Sequence, residues 1–190
     1  MSTFKLKSTH APVKLYYETL EKFGRSRFDN EGNVRKAFED LLGKCARAFD
    51  WMIVPEYQIA RVGKNPLRVD AAVLDAFNLP RGYWEAKDEK DDLKAEVNKK
   101  FAAGYPRTNI LFQKPTHATL VQDGRIAFDE DITAPEKLVD VLRQFFEWRQ
   151  PHQEDWDRAV RLTGTSVEVP TVRNVAMHSE TRTSAKSVFL

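Results

Sequence analysis

The 190-residue sequence predicts a mixed α/β (α+β) fold, a central mixed β-sheet flanked by helices. Three observations carry that prediction. The N-terminal third holds two apolar stripes at helical spacing. The middle then changes period, to short apolar runs separated by turn residues, as strands require. Helical spacing returns near Asp91 and again near Ala134, so helices and strands are interleaved along the chain.

Pro12 to Phe23 carries apolar residues at helical spacing and stops at Gly24, a residue that suits a helix C-terminus. After a polar connector, Arg25 to Asn33, the stripe Val34, Ala37, Phe38, Leu41, Leu42, Cys45 and Phe49 defines a second helix. Gly43 weakens this helix only slightly. Met52 to Ala60 reads as a strand. Lys64-Asn65-Pro66 reads as a turn, and Leu67 to Leu74 as the second strand of the pair. Asn78 to Gly82 is a loop, and Tyr83 to Lys87 a short third strand. A helix spans Asp91 to Ala103, ended by Gly104 and Pro106, and Asn109 to Gln113 is a further strand. Ala118 to Gln122 and Arg125 to Phe128 flank Asp123-Gly124, the turn signal of a tight hairpin. Ala134 to Gln150 is a strongly amphipathic helix closed by Pro151, with a further short helix to about Leu162. The expected organisation is a domain over 1–162 and a linker or flexible end over 163–190.

Composition sets bounds. A single cysteine, Cys45, excludes an internal disulfide and fits a reducing compartment. The polar start, Met1 to Lys14, has no signal-peptide pattern, and no apolar run is long enough to span a bilayer. A cytoplasmic protein with no membrane partner is the expectation. The net charge of +2 excludes a polybasic binder, yet a near-neutral sum can hide a basic face beside an acidic site.

The residues that could do chemistry are Asp70 and the run Glu85-Ala86-Lys87. Asp70 falls in an otherwise apolar strand, where a carboxylate is costly unless it is paired or holds a cation. Strand side chains alternate, so Glu85 and Lys87 share one face while Trp84 and Ala86 take the other. If the strands are neighbours, two carboxylates and an ammonium converge. Hydrolysis of a phosphodiester needs such a group. Two carboxylates can hold Mg²⁺, for which Mn²⁺ can substitute, and the Ala86 carbonyl offers a third oxygen. The cation polarises a phosphoryl oxygen and lowers the pKa of bound water, and Lys87 can activate that water. The competing reading places Glu85 and Lys87 on the wet face of an edge strand and Asp70 in a turn.

This order of elements, a hairpin carrying Asp and a strand carrying Glu-x-Lys between helices, resembles the PD-(D/E)xK nuclease superfamily. Tyr16 to Lys90, with LRVDAAVLDAFNLPRGYWEAKDEKDDL, is similar in particular to the amino-terminal nuclease of single-chain Type I-like (Type ISP) restriction–modification enzymes. The likeness spans roughly Pro12 to Leu162. It implies a restriction-endonuclease-like fold, a Mg²⁺-dependent endodeoxyribonuclease activity, and DNA as substrate. It also implies a longer parent chain with motor, methyltransferase and target-recognition domains. Gly43-Lys44-Cys45 lacks the leading Gly and the Ser/Thr of a nucleotide-binding loop, so a motor is not expected within these residues, nor is there room for a methyltransferase. A Glu on the helix before the first strand often joins such sites. Glu39 occupies that place, or is simply a solvated residue of an amphipathic helix.

Lys94, Lys99, Lys100, Arg107 and Lys114 are candidate phosphate contacts, or an ordinary wet face. Asp88, Glu89, Asp91 and Asp92 suit a helix start, and Gln113 ends a strand near the expected site. The four histidines lack zinc-ligand spacing, and the tryptophans are better core residues than base-stacking platforms. The leading expectation is thus a cleavage module of a restriction–modification enzyme. The alternatives are a standalone repair or Holliday-junction-type nuclease and a catalytically silent DNA-binding or interaction module on the same fold.

Overall fold

The computed structural model describes residues 3–24 and 31–149. These lie within one compact unit, Met1–Gln150. The predicted helix ending near Leu162, the boundary at 162 and the segment 163–190 fall outside the described residues.

Helices α1 (Ala11–Gly24) and α2 (Glu31–Arg47) come first. Strands β1 (Met52–Pro55), β2 (Gln58–Ile59), β3 (Leu67–Arg68), β4 (Ala71–Leu74) and β5 (Pro80–Ala86) follow. Helix α3 (Leu93–Ala102) then leads to β6 (Asn109–Lys114), β7 (His117–Gln122), β8 (Arg125–Asp131) and helix α4 (Pro135–Glu147). The six-stranded sheet runs β1-β4-β5-β6-β7-β8, and β2 pairs with β3 in a second, two-stranded sheet. All pairings in the large sheet are antiparallel except β5 with β6, which α3 connects as a crossover. The architecture is the mixed sheet flanked by helices that the periodicities predict.

The sheet divides the core into two layers. Trp84 and Leu111 pack with Phe38, Leu42 and Phe146 on the face that α1, α2 and α4 cover. Tyr83, Ile110 and Phe112 face the other way, toward Leu93 and Val97 of α3 and toward Tyr57, Ile59 and Leu67 of the small ribbon. Burying both faces explains why the central strands read as nearly continuous apolar runs rather than as clean alternation. Phe145 and Phe146 are buried and dock α4, while the Trp148 indole donates to Asp123 at 3.1 Å. Asp123 and Gly124 both have positive φ (50° and 76°), as a type I′ hairpin turn demands.

Two predicted strands need correction. Met52 to Ala60 is not continuous, nor is Leu67 to Leu74. Glu56 takes a left-handed φ of 54° after β1, and the chain bends at Asp70 between β3 and β4. At these breaks the paired strands leave the large sheet and continue as the β2–β3 ribbon. Asp70 therefore lies at a junction of two sheets, not inside an apolar strand. β5 is also longer than expected at its start and ends at Ala86, leaving Lys87 just beyond it. Its amide still donates to the Gln113 carbonyl at 2.8 Å, so the backbone of Lys87 remains fixed. Among the described residues no helix is long and apolar enough to cross a membrane.

Candidate active site

A cavity of about 450 Å³ opens where β4, β5 and β6 reach one edge of the sheet, between α2 and α3. Its walls include Asp70, Glu85, Ala86, Lys87, Lys100 and Gln113. The antiparallel register Ala71↔Trp84 sets Asp70 beside the end of β5. The parallel register Ala86↔Gln113 brings the end of β6 to the same place.

The Asp70 carboxylate is held from two sides. Oδ2 accepts from the Ala86 amide at 2.8 Å, and Oδ1 lies 3.0 Å from an Arg35 guanidinium nitrogen. Arg35 also reaches Glu56 at 2.9 Å, so it fixes the bend at which Asp70 sits. The contact from Ala86 to Asp70 is thus through its N–H; the residue also lines the cavity.

Glu85 is far more secluded, with a side chain only 3% exposed. Oε2 lies 3.0 Å from the Lys100 ammonium and 3.5 Å from that of Lys87. Oε1 is buried and has no hydrogen-bond partner among the described residues. Burial raises the Glu85 pKa above the ordinary carboxylate range, and the neighbouring Asp70 charge adds to the rise against the opposing pull of Lys100 and Lys87. A buried carboxylate oxygen with no partner, repelled by a second carboxylate, is a costly arrangement that a divalent cation would relieve. The donor set, two carboxylates at a polar cavity open to water, suits a hard, oxygen-seeking cation. Among the described residues no group of three or more His, Cys, Asp or Glu side chains gathers at one point, so water or backbone would complete the shell.

Lys87 lies 3.2 Å from Glu96 on α3 and is itself nearly buried. The sequence pattern thus leads to Asp70, Glu85 and Lys87 around one cavity. Glu39 is not among its lining residues and instead pairs with Lys36 at 2.6 Å; from α2, Val34 and Arg35 line it. Of the five candidate phosphate contacts, Lys100 enters the cavity. Lys99 pairs with Glu96 at 3.0 Å, and the Arg107 guanidinium stacks over Phe101 at 4.7 Å. Lys114 donates to the carbonyls of Glu89 and Asp91, tying down the loop before α3, and Lys94 is exposed in the first turn of that helix. Asp92 caps α3 by accepting from the Lys94 and Ala95 amides, which is the helix-start role expected of that acidic run.

Two site residues have roles that the strand pattern does not announce. Arg35 falls three residues before buried Phe38 and seven before buried Leu42, in phase with the buried stripe of α2. Lys100 stands in the same relation to Leu93 and Val97 on α3. A cation in phase with a buried helix face is the signal that finds both. Lys100 is further fixed by Tyr105, whose hydroxyl is 3.1 Å away and whose ring lies beneath the ammonium at 4.5 Å. Gln113 is buried and donates to the Tyr16 hydroxyl at 3.2 Å, which roots the cavity floor in α1. Trp84 stacks on Phe38 behind Glu85, and Trp51 stacks on Phe49, so both are core residues.

No protein-family model matches the chain, and no curated protein does. Among solved structures, a cryoEM structure of a DrdV–DNA complex is similar to it, with 36% sequence identity and a TM-score of 0.71. The match covers 80% of this chain and 15% of that one, so this chain corresponds to a small part of that protein's length. A protein of unknown function from Silicibacter pomeroyi is 22% identical over 67% of this chain and 92% of that one, with a TM-score of 0.26. At that score nothing follows about shared architecture.

Proposed function

We propose that this chain is a divalent-cation-dependent nuclease module of the PD-(D/E)xK type that hydrolyses DNA phosphodiester bonds. The observation that carries the proposal is the orphaned Oε1 of Glu85, a residue that lines one cavity with Asp70, Lys87 and Lys100. The similarity to a protein seen in complex with DNA supports DNA as the substrate. Because the chain matches only a small share of that protein, we further propose that it serves as the cleavage module of a longer restriction–modification enzyme. Motor, methyltransferase and target-recognition parts would then supply target choice.

Asp70 and Glu85 would hold Mg²⁺, or Mn²⁺ in its place, with the Ala86 carbonyl as a further oxygen. When bound, the cation polarises the phosphoryl oxygen and makes a coordinated water acidic enough to be a nucleophile near neutral pH. The Ala86 amide keeps Asp70 turned to the cavity. Lys100 anchors Oε2 of Glu85 and leaves Oε1 facing its unmet need. Lys87 lies at the cavity wall, where its ammonium can donate to a phosphate oxygen and orient the attacking water. In the reaction the water oxygen gives up a proton and bonds to phosphorus, the bond to the leaving sugar oxygen breaks, and that oxygen takes up a proton.

The test is nicking of supercoiled plasmid with Mg²⁺ or Mn²⁺ against EDTA. The native chain should nick only with the cation, and Asp70→Ala and Lys87→Ala should each lose at least ~100-fold in rate while retaining the native circular dichroism. Cation-dependent nicking that survives both substitutions would refute the assignment.

A further inference from the structure

The β2–β3 ribbon is an arm attached directly to the candidate site. Its first rung is the Glu56 amide donating to the carbonyl of Asp70 at 2.8 Å, and the next is Val69 donating to Tyr57 at 3.0 Å. The pairs Gln58↔Arg68 and Ile59↔Leu67 follow. At ~3.3 Å per residue, the tip at Val62 and Gly63 stands up to roughly 20 Å from Asp70.

Three features of this arm call for an explanation. Val62 is fully exposed at its tip, beside Gly63, whose φ of +67° makes the sharp turn. From Tyr57 to Val69 the chain has three cations, Arg61, Lys64 and Arg68, and no acidic residue. The arm is also held in place. Arg61 donates to the carbonyls of Asn65 at 2.8 Å and Ala103 at 3.0 Å, and Tyr105 donates to the Arg68 carbonyl at 2.6 Å. Its inner side chains Tyr57, Ile59 and Leu67 pack on the α3 side of the core. Arg68 is neutralised by Glu56, whereas among the described residues no carboxylate pairs with Lys64.

An arm that grips a polyanion would use such a tip: cations meet phosphates while an exposed apolar side chain lies against bases in a groove. A two-stranded ribbon is narrow enough for the major groove, and ~20 Å is roughly six base pairs along a duplex. We infer that the β2–β3 ribbon is a duplex-DNA arm, with Lys64 on a backbone phosphate and Val62 against base edges about half a helical turn from the cut. This rests on the DNA-cleavage reading and names the surface by which the duplex would be held.

The test is fluorescence anisotropy of a labelled ~30-base-pair duplex across a salt series, with Ca²⁺ in place of Mg²⁺, for the native chain, Lys64→Glu and Val62→Ala. Both positions lie at the arm's tip, so the thermal midpoints should match that of the native chain. Lys64→Glu is expected to weaken binding about tenfold near 50 mM salt and to lower the slope of log K against log salt by about one. Val62→Ala is expected to weaken binding about threefold with no change of slope. If the native chain binds the duplex and both variants bind as tightly, the arm inference is overturned while the DNA reading stands. If the native chain binds no duplex even at low salt, the DNA reading falls and the arm falls with it.

Discussion

Glu85 shows how much one buried carboxylate depends on its neighbours. Its Oε2 shares two lysines, its Oε1 has none, and the side chain is almost wholly removed from water. In the proposed cation site, Lys100 would act through Glu85 as a positioning residue. Burial alone would lower its affinity for a proton, but the bonds to Tyr105 and Glu85 outweigh that and hold it charged. Lys100→Ala should therefore cut the plasmid-nicking rate by ~10–100-fold, the usual range for a residue that orients a cation ligand. Tyr105→Phe should cost less, because the ring stays beneath the ammonium. Nicking at the native rate by Lys100→Ala would remove Lys100 from the account. Asp75 offers a stability test at the same scale. Burial pushes its pKa up, yet the Leu79 amide, the Arg81 side chain and the Phe77 amide together bring it below the ordinary range. A lowered folded-state pKa means that the stabilisation is complete above about pH 4 and is lost as pH falls further. Asp75→Asn should lower urea-unfolding stability by ~1–2 kcal/mol at neutral pH, and the gap from the native chain should narrow in acid. A gap that is constant with pH would contradict the ion pair's role.

At the scale of elements, the site exists because two paired strands leave the large sheet where it forms. The periodicity makes the helices and the central strands legible, since α2 and α4 carry apolar stripes and β6 and β7 are short apolar runs. Alternation along β5 makes Glu85 and Lys87 legible as a pair. The breaks at Glu56 and Asp70 are not legible, because a ribbon that leaves the sheet keeps the apolar pattern of the strands it continues. Nor does pattern show that Arg35 reaches Asp70, which depends on how α2 crosses the end of the sheet. The expectation that Glu39 supports the site rests on its place on α2, but its own neighbour Lys36 engages it. Close packing of α4 on β5 is testable by one added methyl. A Cβ on Gly82 would lie 2.5 Å from the Phe145 ring and 2.8 Å from the Asn109 amide nitrogen. Asn109 donates to both the Arg81 and Phe145 carbonyls, so this corner has little room to shift. Gly82→Ala should cost ~1–3 kcal/mol in unfolding free energy, the usual range for overpacking. A native-like thermal midpoint would show that the corner yields.

For the molecule as a whole, the α3 crossover between parallel β5 and β6 sets acidic and basic groups around one opening. Glu85 comes from a strand, Lys87 from just beyond its end, Lys100 from the helix that follows, and Asp70 from the bend beside them. A near-neutral total charge conceals this concentration, which is why composition alone decides nothing about DNA. In the proposed function the buried oxygen of Glu85 and the carboxylate of Asp70 form a divalent-cation site. The most direct measurement is calorimetric titration of Mn²⁺ into the native chain and into Glu85→Gln, a change that keeps the shape of the side chain and removes its charge. The native chain should bind saturably, and Glu85→Gln should bind at least ~10-fold more weakly. Equal binding by both proteins, or none by the native chain, would contradict the cation site.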